Sequence, residues 1–183
     1  KAFTKGVTPP AQCSDPDDVQ SMVRFLLYAD EFQVEGLIAS AGTFANVASK
    51  QNILNMLDLY EQVYPNLTKH DARYPTAEKL RSVTWQGRDG GWGTTNVGTN
   101  AKPLEKILGE GKDSEASEAI IRVVDRPDSR PVWICVWGGS RDAAQALRKV
   151  RAPRSPADLE RFLGNLRLYS IVKPDTTTDW LLD

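Results

Sequence analysis

One histidine and two cysteines among 183 residues leave little material for several kinds of chemistry. Cys13 and Cys135 cannot build a disulfide scaffold, and His70, alone in a polar Lys-His-Asp loop, cannot form a histidine-rich zinc site. No apolar run approaches the ~18 residues that span a bilayer. The opening Lys-Ala-Phe-Thr-Lys-Gly holds no hydrophobic stretch of signal-peptide length. A charge excess is missing too: 23 Lys and Arg stand against 24 Asp and Glu, net −1. That balance gives no basic field to gather nucleic-acid phosphates or anionic lipid, so neither nucleic acid nor membrane is expected as a partner. There is no Gly-x-Ser-x-Gly elbow, and the glycine-rich stretch at 87–93 lacks the Lys-Ser/Thr of a nucleotide loop. Glycine (13) and proline (11) are near average usage, which excludes low-complexity linkers.

What is present reads as a globular chain, 40% hydrophobic and 26% charged, of one-domain length. Residues 1–14 form an irregular segment in which Phe3 and Val7 stand alone. Asp15 then suits an N-cap, Pro16 a first helical position, and Asp17 and Asp18 the positive end of a helix. Val19, Met22, Val23, Leu26 and Leu27 carry that helix to about Asp30. A β-rich run follows at Val34–Ser40, then a helix from Ser49 to Val63 that Tyr64-Pro65-Asn66 should end. Thr76 opens a short helix. Residues 87–111 read as one long loop, of the kind that is functional or mobile. Ser114 caps a helix through Val124. Pro131–Trp137, apolar at nearly every position, reads as a strand buried on both faces, with Cys135 and Trp133 in the core. Helices around Ala143–Val150 and from Ser155 precede a last strand, Leu168–Val172. This alternation predicts an α/β fold with a mainly parallel sheet flanked by helices.

In such folds ligands sit beyond the carboxyl ends of the strands. Residues 40–46, 138–140 and 173–175, with the residues before Asp17, are the places to inspect. Two readings of Asp15, Asp17 and Asp18 stand side by side: a helix start, or a hard-cation site of clustered carboxylates. Trp133 and Trp137 share a strand face; Trp137, at the carboxyl end, is the better ligand candidate. Trp85 and Trp92 flank the glycine loop, where they either cap a sugar or base or simply pack. Asn66-Leu67-Thr68 is a glycosylation sequon, meaningful only in a glycosylating pathway.

The wording of several segments goes further. Asp17-Asp18, Glu35-Gly36-Leu37-Ile38-Ala39-Ser40, Ala45-Asn46-Val47, Gln86-Gly87-Arg88-Asp89-Gly90-Gly91-Trp92-Gly93 and Val136-Trp137-Gly138-Gly139-Ser140-Arg141-Asp142 resemble the nucleoside hydrolases. Ser21–Tyr28, His70-Asp71-Ala72-Arg73-Tyr74-Pro75 and Trp137-Gly138-Gly139 are similar to one branch of that fold, a nucleoside-hydrolase-like domain with members labelled cellulose-binding. The resemblance implies a Rossmann-like nucleoside hydrolase topology over residues 15–183, incomplete at the C-terminal end and lacking the opening strand with its aspartate. It implies a Ca²⁺-activated water that hydrolyses an N-ribosyl bond, with Asp17 and Asp18 as catalytic groups. Asp15, Asp17, Asp18 and the carbonyl of Val136 or Trp137 would be metal ligands. Asn46, Gln86, Asp89, Trp92 and Trp137 would hold the substrate, a nucleoside or saccharide. Gln86 stands where the family has a histidine, so proton donation to a leaving base is not expected there. The alternatives are a non-catalytic carbohydrate-binding domain on the same fold and an inactive, truncated chain. Self-association stays open, and the family's habits favour a secreted or periplasmic location over a cytoplasmic one.

Overall fold

The computed structural model describes residues 16–41, 47–89, 104–171 and 176–182. Asp15, Asn46 and Trp92, three of the candidate site residues, lie outside them. Helix α1 covers Pro16–Leu26, and a single 3-10 turn follows at Ala29–Glu31. Strand β1 is short, Leu37–Ala39, and pairs in parallel with β2, Thr84–Gln86, through Leu37↔Thr84, Ile38↔Trp85 and Ala39↔Gln86. Between them lie α2, Lys50–His70, and α3, Ala77–Ser82. The second half holds α4, Leu104–Ile107; α5, Glu115–Val124; β3, Val132–Val136; α6, Arg141–Arg151; α7, Pro156–Gly164; β4, Leu166–Ser170; and α8, Thr176–Leu182. Strands β3 and β4 form a second parallel ladder, from Val132↔Leu166 to Val136↔Ser170. Among the described residues, no helix is long and apolar enough to cross a membrane.

Local hydrogen bonding explains the helix starts. The Thr76 hydroxyl accepts the Lys79 amide, the Ser155 hydroxyl accepts the Asp158 amide, and Ser114 with Ser117 forms a reciprocal box. Each satisfies amides that a helix otherwise leaves without partners. Alternation along β1 then sets the layers, because neighbouring side chains point to opposite faces. Leu37 packs with Leu26, Leu57, Tyr60, Ala77 and Leu80 from α1, α2 and α3. Ile38 packs instead against the cluster of Ile120, Val124, Ala146, Val150 and Phe162 from α5, α6 and α7. Helices therefore cover both faces of β1. Burial pushes the Tyr60 hydroxyl up to about 12, and that hydroxyl donates to the Pro75 carbonyl at 2.7 Å, tying α2 to α3.

Four expectations need correction. Helix α2 does not end at Tyr64-Pro65 but runs through the proline to His70. Proline removes one ladder bond, yet Tyr64 and Leu67 beyond it both pack on the core, and the Thr68 hydroxyl donates back to the Tyr64 carbonyl at 3.2 Å. Strand β3 is not buried on both faces: its odd positions face outward, Trp133 is 63% exposed, and Cys135 is exposed as well. An apolar run cannot report how many layers cover it. The loop read over 87–111 contains helix α4, and the last strand starts two residues earlier than expected, at Leu166. Strand β2 and helix α8 carry too few residues for a periodic signal and went unread.

Candidate functional site at the strand ends

The two ladders meet at their carboxyl ends. A Cβ added to Gly138 would stand 2.9 Å from the Ser40 hydroxyl, so the turns after β1 and β3 are in close approach. Ser140, at the N-cap of α6, shares hydroxyl hydrogen bonds with Thr177 (2.8 Å) and Thr178 (2.7 Å) of α8. The turns after β1 and β3, singled out in the sequence, are thus neighbours, and the first turn of α8 joins them.

Beneath this rim lies a buried polar knot. Asp142, in the first turn of α6, is 3% exposed. Its Oδ1 accepts the Ser114 hydroxyl at 2.6 Å and the Arg88 amide at 3.1 Å. Among the described residues, its Oδ2 has no hydrogen-bond partner, and it faces Gly87, where a Cβ would lie only 2.5 Å away. Burial pushes the Asp142 carboxyl above the usual carboxylate range, against the pull of the Ser114 hydroxyl and the Arg88 amide. The Arg88 guanidinium donates to the carbonyls of Ile107 and Lys112. Arg141 donates to the Asp89 carbonyl at 2.8 Å. Gln145 accepts the Gly109 amide and donates to the Gly109 carbonyl and to Asp113. One turn and a half of α6 therefore clamps residues 87–89 and 107–113 together. Arg88, Arg141 and Asp142 stand in the motifs that carry the resemblance, but the resemblance gave them no site role. The available signal was a charged pair opening a helix whose other early residues are alanine.

The candidate residues fall into distinct places. Gln86 and Asp89 brace the start of α2: the Gln86 side chain accepts the Lys50 amide at 2.9 Å and donates to the Ala48 carbonyl, and Asp89 accepts the Ala48 amide at 2.8 Å. Asp17 and Asp18 lie exposed on the first turn of α1. Val136 is buried, and its carbonyl accepts the Ile171 amide at 3.1 Å. Among the described residues, no three His, Cys, Asp or Glu side chains stand close enough to share a metal ion. Asp17 and Asp18 would be the carboxylates of such a site, and Asp15, the third candidate ligand, lies outside the described residues. Trp137 is 40% exposed just past the end of β3. Its ring meets Phe25 edge-on at 5.9 Å, and Phe25 stacks on Phe32 at 6.0 Å. Trp85 sits elsewhere, under α5, with Arg122 at 5.1 Å and Lys50 at 5.7 Å from its ring.

A family model described as the nucleoside hydrolase-like domain of cellulose-binding Sde182 matches residues 11–183. The chain belongs to this family. A solved structure of a nucleoside hydrolase-related hypothetical protein from Saccharophagus degradans, associated with carbohydrate metabolism, is 39% identical with a TM-score of 0.81. The match covers 93% of this chain and 39% of that one, so the chain spans about two-fifths of the related chain's length. No curated protein matches. The α/β class expected from strand–helix alternation, and the Rossmann-like topology that the resemblance implied, are those of the nucleoside hydrolase-like domain. In this Sde182-type domain, the polar groups described beneath the rim are largely occupied with one another, which suits them to positioning loops. Near the strand ends Trp137 and Phe32 face solvent, with Phe25 half-buried between them and the core.

Proposed function

We propose that this nucleoside hydrolase-like domain binds a saccharide at the carboxyl end of β3, without itself cleaving it. The observation that carries the reading is Trp137, exposed at the strand end and held edge-on by Phe25, with Phe32 stacked behind. Aromatic side chains offer a large apolar face at low conformational cost, suited to the C–H face of a pyranose ring. The family's cellulose-binding label and the carbohydrate association of the S. degradans relative favour the same ligand class. Calorimetric titration with cello-oligosaccharides tests it. Trp137→Ala should weaken binding at least tenfold, about 1.4 kcal/mol, while leaving the unfolding midpoint nearly unchanged. Equal affinity in the variant removes the reading.

A second reading, Ca²⁺-assisted hydrolysis of an N-ribosyl bond, rests on Asp17 and Asp18 opening α1 as they do in the resemblance. Titration with Ca²⁺ separates the two. Binding that Asp17→Ala with Asp18→Ala abolishes, together with release of base from inosine or uridine, would favour hydrolysis.

A further inference from the structure

Away from the strand-end turns, a groove of about 700 Å³ opens between the amino ends of β1 and β2, the end of α3 and the last turn of α5. Val83 and Ile121 give it apolar walls, and Trp85 of β2 lines it too. Its charges divide into two kinds. Arg126 is paired with Glu35, and Asp125 with Arg154, whose guanidinium donates to it at 2.7 and 2.6 Å. Arg122 and Lys79 also line the groove, but form no ion pair among the described residues. The acids that precede Arg122 on α5, Glu115 and Glu118, are taken by Lys50 and Lys149. Two positive charges therefore face the groove unanswered.

Arg122 is also placed for recognition. Its guanidinium lies 5.1 Å from the centre of the Trp85 ring. An aromatic face holds a guanidinium by cation–π attraction and leaves its N–H edge for a pair of anionic oxygens. Trp85 itself keeps a buried Nε1–H without an acceptor among the described residues, and Gly36 beside it carries no side chain: a Cβ there would stand 3.8 Å from Nε1. Buried donors are rarely left so.

We infer that this groove is a ligand site separate from Trp137, for a sugar that carries one anionic group. Arg122 forks the anion, Lys79 supplies the second positive charge, and Val83 and Ile121 meet the C–H face of the ring. Two cations are too few for a polyanion, and the net charge of −1 adds no wider field. That the apolar part is a sugar rests on the saccharide reading above; that the ligand is an anion does not.

Calorimetric titration of this chain with glucuronate, glucose 6-phosphate and glucose at low salt tests it. At least one anionic sugar should bind tenfold or more tighter than glucose, and the tighter of the two shows whether the group is a carboxylate or a phosphate. Arg122→Gln should weaken that binding at least tenfold, and Lys79→Gln should weaken it too, with cello-oligosaccharide binding left as in the parent. Glu35→Gln frees Arg126 from its acid and should tighten the anionic sugar severalfold, a gain that misfolding cannot produce. Glucose binding as tightly as both, an unchanged affinity in Arg122→Gln, or no binding at all overturns the inference. So does inorganic phosphate or acetate binding as tightly as the sugars, because only the ion would then be read. If the parent binds no cello-oligosaccharide but takes an anionic sugar through Arg122, the reading at Trp137 fails and this one stands.

Discussion

Gly87 is where a single methyl group should be felt most. It closes the β1–β2 ladder, its amide donating to the Ala39 carbonyl at 2.9 Å. A Cβ there would fall 2.5 Å from Asp142 Oδ2 and 3.1 Å from its Cγ, and closer still to the Ala39 carbonyl oxygen. The carbonyl belongs to a paired strand and cannot rotate away. The carboxylate is held at Oδ1 by Ser114 and Arg88. Overpacking costs about 1–3 kcal/mol, and losing the Ala39 hydrogen bond adds about 1 kcal/mol. Gly87→Ala should therefore lower stability by about 3 kcal/mol, or about 6–12 °C in Tm for a domain of this size. Urea unfolding followed by tryptophan fluorescence reads it. Gly164→Ala is the internal contrast: Gly164 ends α7 with no described atom within 4 Å of its added Cβ. There alanine should gain about 0.4–1 kcal/mol by restricting the unfolded chain. If Gly87→Ala unfolds within about 0.5 kcal/mol of the parent, the close packing of β1, β2 and α6 is wrong; that is the usual range for a surface change.

Asp142 predicts a pH dependence. Burial raises its carboxyl in the folded protein, so the stability it brings is complete below the unfolded value and lost as pH climbs through the folded one. Asp142→Asn removes that slope. The stability of the parent relative to the variant should fall as pH rises from about 3 to 8, and a difference that is flat or grows contradicts the burial argument. Asp113 and Glu115, both held low by hydrogen bonds, act in the opposite direction but in both proteins alike. Ser114→Ala removes the cap of α5 and one donor to Asp142; a loss of about 2–3 kcal/mol in urea unfolding is expected. Pro65→Ala restores an amide inside the exposed face of α2 and should raise stability by about 1–3 kcal/mol, seen as a higher melting temperature.

What the sequence determined by itself is local. Thr76, Ser114 and Ser155 cap helices through partners three residues away, and amphipathic spacing places α1, α2, α5 and α6, because both signals depend on neighbours along the chain. The strand at Val132–Val136 was legible from its apolar run. Tertiary structure decided what depends on distant partners. Strand β2 exists because Leu37–Ala39 pairs with it across more than forty residues. Trp133 and Cys135 face outward because, among the described residues, helices pack on the even side of β3. Asp142 and Arg141 lie buried at the strand ends because the turns after β2 and β3 converge there. Gln86 and Asp89 reach back to Ala48 and Lys50 for the same reason. Periodicity along one chain carries no information about which other segment will supply the missing hydrogen bond or the missing layer; only packing does.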